Sequence, residues 1–184
     1  MAKAGGGQAY VALLRGINVG GHNKLPMADL AALCAKAGGQ DVKTYIQSGN
    51  AVFTAAPARA AGFAQALAAL LQKEKGLAVP VIVRSAAQLA ALPAKHPLTV
   101  PGAGPKQLHV GFLARVPVPA LAKAWQPPLG PDEAVLLRGA ELFVRFPLGV
   151  AGTKLTNAHI DAKLGTTVTL RNWNTVQALL EQCQ

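Results

Sequence analysis

Cysteines, aromatic rings, carboxylates and long apolar runs are all scarce in this 184-residue chain, and each shortage closes off a class of function. Cys34 and Cys183 stand far apart without CxxC spacing, so the chain carries neither a zinc site nor a disulfide framework, and both are expected to be buried or inert thiols. Aromatic residues make up 5% of the chain, too few for a surface that stacks single-stranded bases on many rings. The longest apolar runs, such as Val79 to Val83, fall far short of the roughly 20 residues of a spanning helix. No membrane partner is expected. The N-terminal MAKAGGGQ has no apolar run of signal-peptide length, which predicts a cytoplasmic protein. His22, His96, His109 and His159 are scattered singly with no metal-ligand spacing, so neither a metal nor any other cofactor is expected. Eight acidic against eighteen basic residues leave a formal charge of +10, spread as +6 over residues 1–92 and +4 over residues 93–184. Such an excess favours anionic partners through long-range attraction, and it equally suits a basic protein with no nucleic acid partner.

What is present centres on residues 10–24, YVALLRGINVGGHNK. Five apolar residues from Tyr10 to Leu14 without alternation predict a strand buried on both faces, in the middle of a sheet. The turn after it holds Gly16, Gly20 and Gly21, free to take positive φ, and donors from Arg15, Asn18, Asn23 and Lys24. Around it the pattern predicts a helix from Pro26 to Gly38, then a hairpin of Val42–Gln47 and Ala51–Ala55 about Ser48-Gly49-Asn50. An alanine-rich helix from Pro57 to Gly76 follows, then a strand over Val79–Val83 and a short helix capped by Ser85.

Residues 97–106, PLTVPGAGPK, read as a linker, after which the order repeats. Strands are expected over Leu108–Ala114, Ala134–Arg138, Glu141–Phe146 and Thr167–Leu170. Helices are expected over Pro119–Trp125, Leu155–Leu164 and Val176–Cys183. VIVRSAAQLAAL and VTLRNWNTVQALL share a strand ending in arginine, a capping residue and an apolar helix, with Arg84 and Arg171 in equivalent places. The fold class is therefore α+β, a tandem duplication of two ferredoxin-like βαββαβ units with a C-terminal helix. Residues 1–9 form a disordered tail, 10–96 the first half, 97–106 the linker and 107–184 the second half.

Familiar phosphate signatures fail at the central turn. GINVGG has Asn18 where GxGxxG needs its middle glycine, and His22-Asn23 follows where a P-loop needs Lys-Ser/Thr. What survives is that backbone N–H groups and Lys24, just ahead of a helix, suit an anion, while a purely structural connection is the alternative. Ser48 is good hairpin chemistry or part of a site. In Arg171-Asn172-Trp173-Asn174, Asn174 caps the last helix over Trp173, or the segment meets a ligand.

RGINVGGHNKLPM, the YIQSGN hairpin and the late KLTN with TLRNWNTV resemble the family known as domain of unknown function 1697, from about Tyr10 to the C-terminus. The resemblance implies a cytoplasmic bacterial protein with tandem ferredoxin-like halves and no established activity. It also places Arg15, Gly16, Asn18, Gly20, Gly21, Lys24, Gln47, Ser48, Gly49, Asn50, Lys154, Arg171, Asn172, Trp173 and Asn174 in the family signature.

The resulting expectation is a binding protein for a phosphate-bearing ligand, a nucleotide or nucleic acid, at a site gathering the central turn, the first hairpin turn and residues 171–174. Arg15, Lys24 and Arg171 would carry charge, and Asn18, Asn50 and Asn172 would orient the ligand. The alternatives are an enzyme acting on a phosphorylated small molecule, with His22 as its proton-transfer group, or a protein-interaction module.

Overall fold

A computed structural model of the chain describes residues 7–184, which hold two four-stranded antiparallel sheets and seven α-helices. The chain divides into two compact units, one comprising the residues up to Leu92 together with Leu179–Gln184, the other Pro93–Ala178.

In the first unit β1 (Gln8–Leu14) lies between β3 (Asn50–Ala55) and β4 (Val81–Ser85), with β2 (Gln40–Tyr45) at the far edge, giving the order β2-β3-β1-β4. Val11 to Leu14 are at most 1% exposed, as an unbroken apolar strand in a sheet interior must be. One face of the sheet presents Tyr10, Ala12, Leu14, Ala51 and Phe53 to Leu30 and Leu33 of α1 (Met27–Lys36) and to Phe63, Leu67 and Leu71 of α3 (Phe63–Lys75). Phe53 stacks between Tyr10 and Phe63, with ring centroids 5.7 and 3.8 Å away. Lys36 to Glu74 at 2.7 Å and Lys75 to Asp29 at 2.6 Å tie the same two helices at their solvent edge. The helix opened by Pro57 is divided into α2 (Pro57–Ala60) and α3, with Gly62 at the N-cap of the second piece. Ser85 caps α4 (Ala86–Ala90) through a capping box with Gln88.

In the second unit β5 (Leu108–Leu113) lies between β7 (Glu141–Arg145) and β8 (Val168–Asn172), with β6 (Ala134–Arg138) at the edge: β6-β7-β5-β8. Leu113, Leu142, Val144 and Val168 pack on Ile160 and Leu164 of α6 (Asn157–Leu164), and Trp125, just past α5 (Pro119–Ala124), joins that cluster. Thr156 caps α6 by accepting the His159 N–H, so the helix starts two residues beyond the expected Leu155. A 3-10 turn over Pro105–Gln107 occupies the end of the expected linker, and the Gln107 carbonyl accepts the Phe146 N–H at 2.8 Å. Of the last helix, α7 (Trp173–Gln182), the residues up to Ala178 belong to this unit and those from Leu179 on to the first.

The registers of the central strands correspond, while the edge pair differs in that β2 carries an irregularity between Gln40 and Lys43 against β3 and β6 carries none against β7. Val11 pairs with Arg84 across β1 and β4, and Val110 pairs with Arg171 across β5 and β8. The Leu14 N–H donates to the Gly49 carbonyl and the Leu113 N–H to the Ala140 carbonyl, both at 2.8 Å. Each arginine is the fourth of five residues in its strand and is buried, so the strands run two residues further than the apolar runs suggested. At the other end, Gln8 and Ala9, expected in the tail, pair with Ala55 and Thr54. The expectation for residues 1–6 lies outside the described residues.

Candidate functional site

The first unit brings the residues of the 15–24 turn and the 46–49 turn together. At the end of β1 the chain turns back on itself through Gly16, Asn18 and Asn23, all with positive φ of 68°, 55° and 49°. The Asn18 side chain holds this path. Its Nδ2 donates to the Leu25 carbonyl at 2.9 Å and to the Gln47 carbonyl at 2.8 Å, and its Oδ1 accepts the Leu25 N–H at 2.9 Å. Asn23 Nδ2 donates to the Gly16 carbonyl at 3.0 Å, closing the base of the turn. Val19 to His22 forms the tip, where the His22 N–H donates to the Val19 carbonyl at 3.0 Å. Gly20 and Gly21 are its central residues, with φ of 58° and 80°, the two positive angles that a mirror-image hairpin turn requires.

The hairpin turn sits against this base. Asn50 is fully buried, and its Nδ2 donates to the Tyr45 carbonyl at 3.1 Å and to Ser48 Oγ at 2.9 Å. Gly49 is irreplaceable on steric grounds, because a Cβ there would come within 2.9 Å of Leu14 Cβ and 3.2 Å of Ile17 Cβ. The amide donors of Asn18 and Asn50, expected to orient a ligand, are thus directed at the protein itself. What remains outward is Gly20, Gly21, His22, Asn23 and Lys24, all exposed, with Arg15 half-buried at the strand end. Lys24 has no ion pair among the described residues, whereas Lys36 and Lys75 of the same unit are paired. His22 has no side-chain hydrogen bond among the described residues, so nothing there orients it for proton transfer.

Ile46 is a feature that sequence reasoning missed. It takes φ of 48° while 50% exposed, a left-handed conformation that a β-branched residue adopts only under strain. No sequence signal predicts it, because isoleucine is the wrong residue type for that angle. Val19, 62% exposed on the facing turn, is the other large apolar side chain presented at this end.

Lys154, Arg171, Asn172, Trp173 and Asn174 belong to the second unit. Lys154 is exposed in the loop before α6. Arg171 is 7% exposed, and its Nη1 donates to Thr169 Oγ1 at 2.8 Å and to the Leu170 carbonyl at 2.9 Å. Burial pulls its pKa from 12.5 down to about 10, which leaves it charged at neutral pH. Asn172, rather than Asn174, secures the start of α7: its Oδ1 accepts the Asn174 N–H at 3.0 Å while its Nδ2 donates to the Pro105 carbonyl at 2.9 Å. Trp173 is buried, edge-on to His96 at 5.3 Å. Asn174 is exposed. Neither unit has a His, Cys, Asp and Glu cluster suited to a metal ion among the described residues, and no helix there is long and apolar enough to cross a membrane.

A family model described as "Protein of unknown function (DUF1697)" matches residues 8–143. That range holds both turns of the first unit and stops short of Lys154 and of Arg171 to Asn174. Among solved structures the chain is similar to a conserved bacterial protein, SP0830, from Streptococcus pneumoniae, at 21% identity and a TM-score of 0.67, over 97% of this chain and 100% of that one. Likeness at that identity establishes a shared fold. No curated protein matches the chain.

Proposed function

The chain belongs to the DUF1697 family, and from that premise we propose that it is a binding protein for a phosphate-bearing ligand, a nucleotide or nucleic acid, held on the paired turns of the first unit. The observation that carries this reading is the Asn18 bridge. One side chain bonds its own turn and the carbonyl of Gln47 on the other, so two exposed loops become one fixed rim ahead of α1. Preorganised loops lose little entropy on binding. On that rim Arg15 and Lys24 supply charge, Gly20 and Gly21 supply backbone donors, Asn23 closes the base of their turn, and Gln47, Ser48 and Asn50 keep the supporting turn in place. The strain at Ile46 supports the same assignment, since strained residues persist where the surroundings over-determine them and cluster at functional sites. The net +10 adds general attraction for phosphate. Lys154 and Asn174 are exposed in the second unit and would be that unit's own polar contacts to a ligand, with Arg171, Asn172 and Trp173 holding the segment.

The proposal extends to ancestry and place. Two ferredoxin-like units arising by duplication are supported by the identical strand orders and by the matched registers of Arg84 and Arg171. A bacterial, cytoplasmic protein agrees with the bacterial structural neighbour. The test is a thermal-shift series with inorganic phosphate, nucleotides and oligonucleotides on the parent and on Lys24→Ala. A ligand that raises Tm in the parent should lose roughly tenfold or more in affinity in the variant. Equal shifts in both proteins refute the assignment. For oligonucleotides the affinity should also fall steeply between about 50 and 200 mM salt.

A further inference from the structure

The second unit has a cleft of its own. It has a volume of about 470 Å³ and is lined by Leu121 and Ala124 of α5, by Trp125 and Gln126 just past its end, and by His159 and Lys163 of α6. That volume falls in the range of roughly 300–1,000 Å³ typical of small-molecule sites. Its chemistry is divided in two. Trp125 packs on the core cluster, and its Nε1 donates to His159 Nε2 at 3.5 Å, so the indole's one polar atom is engaged and its ring offers apolar surface beside Leu121 and Ala124. His159 and Lys163 lie one helical turn apart, on the same face of α6, which sets an ammonium group beside that surface. No carboxylate lines the cleft, and the acid of α6, Asp161, is turned to β8, where its Oδ1 accepts the Val168 N–H at 2.8 Å. We propose that this cleft binds a small organic carboxylate with an aromatic body, the ring against Trp125 and Leu121 and the carboxylate on Lys163 with the Gln126 amide beside it.

Trp125 is also the reporter. The chain has two tryptophans, and Trp173 is buried away from solvent, so phenylacetate added to the full chain should change the emission of Trp125 saturably. Phenylacetamide keeps the ring without the charge and acetate keeps the charge without the ring, and each should bind at least tenfold more weakly. Trp125→Phe should abolish the optical response. Lys163→Gln, at an exposed helical position, should weaken phenylacetate on the order of tenfold to a hundredfold, the range for losing a charged hydrogen-bond donor. Ala124→Trp, which fills the cleft from a solvent-exposed position, should block binding, with circular dichroism confirming the fold of each variant. No saturable change with phenylacetate overturns the proposal. So does equal binding of acid and amide, or a Lys163→Gln or Ala124→Trp protein that binds as the parent does.

Discussion

Asn18 and Gln47 lie 29 residues apart and are joined by a single contact, the Asn18 amide donating to the Gln47 carbonyl at 2.8 Å. Because the same amide group also brackets Leu25, the path of the first turn and its hold on the second depend on one side chain. Asn18→Asp keeps the acceptor for the Leu25 N–H and removes both donors. It should destabilise the protein by about 1–3 kcal/mol, the cost of leaving polar groups unpaired, read as a lower urea midpoint. It should weaken any ligand of the rim as well, since a loosened turn must be ordered on binding. An unchanged midpoint would show that the bridge contributes nothing.

Ile46→Gly should have the opposite sign for stability. Removing a β-branched side chain from φ of 48° relieves strain of about 1–3 kcal/mol, offset by roughly 0.5–1 kcal/mol for the greater freedom of glycine in the unfolded chain. A net gain on the order of 1 kcal/mol should appear in urea denaturation. If the strained residue serves the rim, stability rises while ligand affinity falls, and a variant that loses stability refutes the account of strain.

Acid should weaken the second unit through His96 and His109. His96 is 2% exposed; its Nε2 donates to the His109 carbonyl at 2.9 Å while its Nδ1 accepts the Leu98 N–H at 3.3 Å. This arrangement fits only the neutral ring, because a proton on Nδ1 would face another donor. Burial lowers the pKa of both histidines below 6.5, so the unfolded chain binds protons that the folded chain refuses. Their contribution is fully present above about pH 6.5 and is lost as pH falls through the lowered values. His96→Gln should flatten that part of the pH profile, and a slope equal to the parent's would assign the loss to other groups.

Cys34 should be chemically silent in the folded protein. It is fully buried against the helices of the first unit, and desolvation pushes its thiol up to about 12. A thiol reagent at neutral pH should label Cys183, which is partly exposed, well before Cys34, with both labelled at once in denaturant. Rapid labelling of Cys34 under native conditions would reveal an opening of the core.

Where apolar periodicity and turn chemistry acted together, the sequence was legible. The unbroken run Tyr10 to Leu14 placed β1 inside its sheet, and Ser85 marked a true cap, which Gln88 completes as a capping box. The apolar runs alone stop at Val83 and Leu170, because a buried guanidinium bonded to its own strand is invisible to apolarity, and only the comparison of the two repeats carries the strands on to Arg84 and Arg171. The asparagines of the turns were legible as special positions but not in their roles. Spacing shows that an amide is present; only coordinates show that both N–H groups of Asn18 point at backbone carbonyls. The crowding of Gly49 against Leu14 and Ile17 is equally a property of two segments brought together in three dimensions.

The membership of Leu179–Gln184 in the first unit has a consequence for how the protein is made. Residues up to Leu92 leave the ribosome long before Leu179 is joined to them, so that unit waits for its last buried leucine until the second unit has already been synthesised. A nascent chain arrested before Leu179 should therefore be cut by protease within residues 8–92 more readily than the full-length chain. Growth of the polypeptide from one end does not deliver this molecule's units in the order in which they are written.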